Sequence, residues 1–304
     1  MSDLDQQNWR KVLQTAYRHC EDIAKNHYEN FPVASIFLPK KSRRPIAVIY
    51  AFARQADDIA DEGIFSKEER LALLQAYSLA LTECEQGIIP TDPIFIALQD
   101  VLKKHALPVS LLFDLLTAFK QDILKHEYEN FEEILAYCRY SANPIGRLLL
   151  HLTNNATSEN LAFSDAICTA LQLINFLQDL SSDIRVRARY YLPKNEMVSL
   201  NLTKEDFLMQ KETKEMKNLI HTQLLRAESL LIKGLPLRQN LKGLFSFELR
   251  LIIAGARLMI NLLKKRRSIY AQPKIKLIHI PRVLWYSFSR HNKVCHSTFS
   301  PLND

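Results

Sequence analysis

Two stretches of the chain set carboxylates at intervals that chemistry would need and a hydrophobic core would not. The first is Asp57-Asp58-Ile59-Ala60-Asp61. On a helix, Asp57 and Asp61 lie one turn apart with Asp58 beside them. Like charges at that spacing repel, so the arrangement calls for a compensating cation. Stepping back along the same stripe reaches Arg54 and then Tyr50, so one face reads Tyr50, Arg54, Asp57/Asp58, Asp61. In the second stretch Asn175, Asp179 and Asp183 step by four residues into one polar ridge, with Gln178 beside it. Leu171, Leu173, Ile174, Phe176, Leu177 and Leu180 flank that ridge and predict its burial. Five carboxylates and an amide turned inward from two helices cannot stay ionised without cations. An all-oxygen donor set suits Mg2+, which keeps some waters and bridges carboxylates to substrate phosphate. The plainer reading is two solvated helix faces laced by surface ion pairs.

The elements that must position these groups read as helices from end to end. Apolar residues recur at helical spacing, and no strand-like alternation survives more than a few residues. The pattern predicts helices over about 9–28, 45–62, 66–85, 93–105, 108–126, 130–140, 145–154, 164–186, 203–210, 214–233 and 245–267. Pro45 fits a first helical position. Ser66 with Glu69 reads as a capping box, and Asn130 with Glu133 as a further cap. The apolar stretch 244–263 carries Glu248, Arg250 and Arg257, which makes it a buried helix and a poor membrane span. The chain of 304 residues contains only six glycines, none in a G-x-G-x-x-G or P-loop pattern. That argues against dinucleotide-binding and P-loop folds, which need glycine where backbone meets phosphate. The expected class is all-α, in one domain.

Five scattered cysteines, with no C-x-x-C pair, argue against a disulfide framework or a zinc knuckle and fit a reducing cytosol. The polar, acidic N-terminal residues give no secretory signal. The net charge of +7 sits at one end: from Lys264 onward there are nine Lys and Arg against one acid. Ile278, Ile280, Val283, Leu284, Trp285, Tyr286 and Phe288 alternate with those cations. A solvated basic end is the bland reading. Docking on an anionic membrane surface is the sharper one, since clustered cations with interfacial aromatics favour headgroups. Nucleic acid is not expected, because no recognition motif accompanies the charge.

At the acidic stretches the chain strongly resembles the squalene/phytoene synthase family of head-to-head prenyl synthases, over about Asn30 to Tyr270. Tyr50 through Glu62 resembles the first aspartate-rich signature, and Asn175-Phe-Leu-Gln-Asp179 with Asp183 the second. The resemblance implies an isoprenoid synthase helical bundle with a central cavity, catalytic over 1–270, followed by a basic, loosely attached segment at 271–304. It implies that Asp57, Asp58, Asp61, Asn175, Asp179 and Asp183 hold Mg2+, more than one ion. Tyr50, Arg54, Gln178 and Arg189 would touch the diphosphate, with Asn30 and Ser35 from the preceding loop. Asp122 matches an acidic position near the reacting carbons and Tyr137 an aromatic of the cavity wall. Read alone, Asp122 could equally be an exposed helix acid and Tyr137 core packing.

Two segments, 29–35 and 137–146, look most like the branch that converts presqualene diphosphate to hydroxysqualene in bacterial hopanoid biosynthesis. That reaction needs ionisation of a cyclopropylcarbinyl ester, rearrangement and capture of water. No nicotinamide is expected. Condensation of two prenyl diphosphates to presqualene diphosphate, squalene or phytoene is the alternative within the family, and a non-catalytic scaffold the alternative outside enzymology. The expected partner is a prenyl or presqualene diphosphate. The expected location is the cytoplasm, including the inner face of the membrane. Three departures stand out. Ala188 replaces the family's usual glycine before Arg189. Gln272-Pro273 replaces an Arg-Pro. A hydroxyl pair common in the N-terminal loop is reduced to Asn30 and Ser35.

Overall fold

In the computed structural model, which describes residues 3–26 and 40–288, the periodic stretches are helical almost throughout. The helices in the first half are α1 (Asp3–Asn26), α2 (Lys40–Asp61), α3 (Lys67–Glu85), α4 (Pro93–His105) and α5 (Ser110–Leu124). A short strand β1 (Glu127–Tyr128) leads to α6 (Phe131–Ser141), α7 (Asn143–Leu152), α8 (Ser158–Gln178) and α9 (Leu180–Arg187). After β2 (Tyr190–Pro193) come α10 (Lys194–Ser199), α11 (Lys204–Leu208), α12 (Lys214–Gly234), α13 (Leu237–Asn240) and α14 (Gly243–Lys265). A 3₁₀ turn (Leu277–His279) and α15 (Ile280–Phe288) end the described chain. The all-α expectation holds. Ser66 and Glu69 close the predicted capping box, and Asn130 accepts from the Glu133 amide at 2.9 Å.

Three local differences have physical causes. α2 begins at Lys40, so Pro45 lies inside it and not at its start. The ring removes one helical hydrogen bond, but the first turn is docked on α1. Arg44 bonds Glu21 at 2.7 Å and lies 5.4 Å above the Tyr17 ring, and Ser42 is buried. The single helix expected over 164–186 begins earlier and breaks at Asp179 into α8 and α9. Backbone bonds from Asp179 N to Asn175 O (2.8 Å) and Asp183 N to Asp179 O (2.9 Å) carry the polar ridge across the break. β1 and β2 pair in parallel, Glu127 opposite Tyr190 and Tyr128 opposite Pro193. They are too short to show alternation in sequence.

The buried apolar residues fall into two clusters. One gathers Phe52, Tyr77 and Phe95 with the cores of α1 to α5. The other gathers Tyr128, Tyr137, Phe176, Phe207 and Met216 with α6 and α8 to α14. α7 bridges them, sending Leu148 into the first and Leu150 into the second. α12 is the main partner of α8. Their approach depends on Gly234, where a Cβ would stand 2.4 Å from Ile167 Cγ1 and 2.8 Å from the Phe163 carbonyl oxygen.

Candidate active site

α2 belongs to the first cluster and carries the first acidic wall. Arg54 reaches Asp58 at 2.5 Å, Asp57 at 3.4 Å and Glu62 at 2.7 Å, so one guanidinium serves three carboxylates. Its Nε is buried and has no hydrogen-bond partner among the described residues. Burial, with Asp61 next, pushes the Asp57 carboxyl up to about 7 against the pull of Arg54. Tyr50, one turn back, has its hydroxyl pKa raised by the same burial. The wall ends where Gly63 turns the chain with φ +88, a conformation glycine adopts without cost.

The second wall follows the α8–α9 break. Asp183 is buried, and burial followed by repulsion from Asp179 pushes its carboxyl up to about 6. Arg187, one turn on, bonds it at 3.1 Å. Asp179 accepts a hydrogen bond from the side-chain amide of Gln272, so the Arg-to-Gln departure seen in sequence falls at the site itself. Gln178 donates to the Pro273 carbonyl at 2.9 Å, and Arg266 donates to the Leu177 and Ala271 carbonyls at 2.8 and 3.2 Å. Residues 266–273 are thereby strapped to the rim. Asn175, the first member of the ridge, is exposed.

Guanidiniums cross from one wall to the other. Arg189 grips Asp61 with both Nη atoms, at 2.6 and 3.3 Å, and its Nε donates to the Asp122 carbonyl at 3.2 Å. Arg187 meets Asp61 at 3.2 Å as well as Asp183, linking the two acidic stretches through one side chain. Burial works against the Arg189 cation, but Asp61 and Asp122 outweigh it and hold its pKa above the ordinary value. Ala188, in the glycine position, caps α9 with φ +52, a left-handed turn that an alanine adopts only at a cost of about 1–2 kcal/mol. Its turn lets the Arg189 amide bond the Asp183 carbonyl at 2.9 Å. The departure is therefore absorbed by strain and leaves the arginine aimed across the site.

Asp122 on α5 is 6 % exposed, which excludes the exposed-acid reading. It accepts from the Tyr137 hydroxyl at 2.9 Å and the Tyr191 hydroxyl at 3.1 Å. Burial, partly offset by Arg189, pushes its carboxyl up to about 6. Around it stand Tyr128, Tyr137, Phe176 and Tyr191, with the Phe176 and Tyr191 rings stacked 3.8 Å apart. Tyr137 is thus both packed and hydrogen-bonded. Two bonded groups result: Arg54 with Asp57, Asp58 and Glu62, and Arg187 and Arg189 with Asp61, Asp183, Asp122 and Tyr137; the charges of Asp61 and Asp122 act on Asp57 and couple the two groups through space. Asn30 and Ser35 lie outside the described residues.

Among the described residues no three acidic, His or Cys side chains converge tightly enough to hold an ion as a group, since arginines stand between them. Sequence reasoning missed three participants. Arg187 follows Asp183 by four residues, a spacing that marks it in retrospect; Tyr191 stands two residues after Arg189 with no local signal of its role; Glu62 closes the first signature and carries no role in it.

The squalene/phytoene synthase family model matches residues 24–282. The hydroxysqualene synthase of Zymomonas mobilis is 40 % identical over 206 residues, 67 % of each chain. That of Rhodopseudomonas palustris is 35 % identical over 254 residues, covering 82 % of this chain and 84 % of the relative. Among solved structures, squalene synthase HpnC from Alicyclobacillus acidocaldarius superposes with a TM-score of 0.78 at 32 % identity, over 83 % of this chain and 94 % of that one. A dehydrosqualene synthase at 23 % identity superposes equally well, with a TM-score of 0.78, and supports the fold. The matched span runs through both acidic helices and the arginines that join them, and the chain belongs to the squalene/phytoene synthase family of prenyl synthases.

Proposed function

We propose that this enzyme converts presqualene diphosphate to hydroxysqualene and diphosphate, with Mg2+. The observation that supports this most is one buried carboxyl, Asp122, set among tyrosines and beside Arg189, with relatives of the same reaction at 35 and 40 % identity. The donor chemistry fits Mg2+. The ligands are all oxygen, and burial and mutual repulsion raise Asp57 and Asp183, a strain that a divalent cation relieves. Asp57, Asp58 and Asp61 would hold the metal on one wall, with Asn175, Asp179 and Asp183 on the other. When bound, it supplies neutralisation of the diphosphate leaving group.

The protein's own groups account for the rest. Arg54 and Arg189 offer planar forks to phosphate oxygens as the C–O bond breaks and negative charge grows there. Tyr50 and Gln178 orient the same group. The aromatic wall of Tyr128, Tyr137, Phe176 and Tyr191 faces the cation with π-density, and the Tyr137 and Tyr191 hydroxyls are turned to the Asp122 carboxylate. One water then adds to the rearranged cation, forming the new C–O bond, and its released proton goes to the Asp122 carboxylate. Near neutral pH that group is largely ionised and can accept it.

The test is direct. Purified enzyme given presqualene diphosphate and Mg2+, without nicotinamide, should release diphosphate and hydroxysqualene in equal amounts. No product from presqualene diphosphate, with product from two prenyl diphosphates, would assign the chain to the condensing branch.

A further inference from the structure

The described surface has its densest run of exposed apolar side chains between Ile275 and Trp285. Leu277 and Ile278 are 83 and 80 % exposed and Trp285 73 %, with Ile275, Ile280 and Leu284 open beside them. Elsewhere exposed apolar residues come singly or in adjacent pairs. The run belongs to a folded element. α15 packs along α14, burying Ser287 and half-burying Val283 and Tyr286, and the opposite side of the segment faces outward. Lys265, Arg267, Lys274, Lys276 and Arg282 are exposed on the same segment, and no acid occurs between Lys265 and Phe288. Arg282 is held against the Tyr286 hydroxyl at 3.1 Å. The hydrogen bonds of Gln272 to Asp179 and of Gln178 to Pro273 tie the start of this segment to the rim of the acidic site.

A large apolar patch rimmed by one sign of charge is costly in water and marks a partner. A protein partner would need matching acids in fixed places. A bilayer with anionic headgroups meets a cationic rim in any register and takes Leu, Ile and Trp into its interface. We propose that residues 274–285 dock this protein on an anionic membrane surface, with Leu277, Ile278 and Trp285 in the interface and Lys274, Lys276 and Arg282 at headgroup phosphates. The strap then sets the acidic rim beside the lipid, where, on the reaction proposed above, the substrate's long chains dissolve.

Vesicle binding needs no turnover, so it is read independently of that reaction. Full-length protein should sediment with phosphatidylglycerol-containing vesicles at low salt and less with phosphatidylcholine alone. High salt should release it, because the field then fades within a few ångströms. In a Trp9→Phe background, the remaining Trp285 emission should shift to the blue on binding. Lys274→Gln with Lys276→Gln should weaken binding to the anionic vesicles by about 30-fold, given about fivefold for each basic residue engaged. Leu277→Asp with Ile278→Asp should abolish sedimentation while the circular-dichroism melt stays that of the parent; if that pair misfolds, Trp285→Ala gives the same reading at one exposed position. Unchanged sedimentation of these variants overturns the proposal. So does a failure of the parent protein to bind, or a dimer in vesicle-free solution that the Asp pair dissolves, which would make a second copy the occupant.

Discussion

Arg54, Arg187 and Arg189 are the counter-ions of the two acidic walls: Arg54 and Arg187 each touch at least two carboxylates, and Arg189 grips Asp61 with both Nη atoms while its Nε holds the Asp122 backbone carbonyl. Sharing of this kind makes single carboxylates dispensable for folding and indispensable for chemistry. With Asp58→Asn, Arg54 keeps Asp57 and Glu62; with Asp179→Asn, the Gln272 amide keeps an acceptor oxygen. Both variants should retain stability to within about 1 kcal/mol, as expected for partly exposed pairs. Turnover of presqualene diphosphate should fall about 10²-fold or more, the scale seen when a preorganised group facing developing charge is removed. Near-parental turnover in either variant would take that wall out of the site. Sequence exposed these carboxylates because their spacing conflicts with a helix left to itself. It hid Arg187, whose type is ordinary on a helix and whose role depends on Asp61, far away in the chain. It also hid the burial of Asp122, since nothing local distinguishes a buried helix acid from an exposed one.

Helices with clear periodicity and marked ends, such as α3 with its capping box and α4 with Asp92 and Pro93, could be read from sequence nearly to the residue. α8 is harder to bound: Thr157 caps its start locally, accepting from the Asn160 amide, but no local signal marks its end. It breaks at Asp179 with φ −95 and ψ 11, where no glycine or proline signals it. α9 likewise ends on an alanine in the left-handed region, where the usual glycine signal is missing. What holds α8 in place is its seam with α12. At Gly234 an added methyl would meet a backbone carbonyl at 2.8 Å, which cannot rotate aside as a side chain can. Gly234→Ala should therefore destabilise the protein by about 1–3 kcal/mol despite alanine's better helix propensity, because overpacking outweighs it. Urea unfolding measures this, and a midpoint equal to the parent's would mean that the two helices can part without cost. Because α8 carries the second acidic wall, the same variant should also lower turnover.

On the scale of the whole molecule, the site is the seam between the two core clusters. α2, with Asp57 and Asp61, is built into the first, while Asp183 and Arg189 are anchored on elements of the second. Ligands that bridge the walls should therefore stabilise the entire fold, and the effect should depend on pH in a definite sense. Burial raises Asp57 to about 7, and Asp122 and Asp183 to about 6, above the value of about 4 for an unfolded carboxyl. The folded state thus holds extra protons between about pH 4 and these values, so the stability those groups contribute is full below pH 4 and lost as pH rises through 6 to 7. Mg2+ with inorganic diphosphate binds the ionised walls and competes with those protons. In EDTA, the melting temperature should lack this support at pH 8. With saturating Mg2+ and diphosphate it should rise by several degrees there, since a ligand at a hundred times its Kd contributes about 2.7 kcal/mol. At pH 5.5 the same addition should do much less. Glu248, raised to about 8 by burial alone, and His151, held low by burial and Arg147, titrate with and without ligand and cancel in the difference. A ligand-induced shift that is the same at pH 5.5 and pH 8 would mean that these carboxyls do not take up the metal, and that the arginines alone hold the diphosphate.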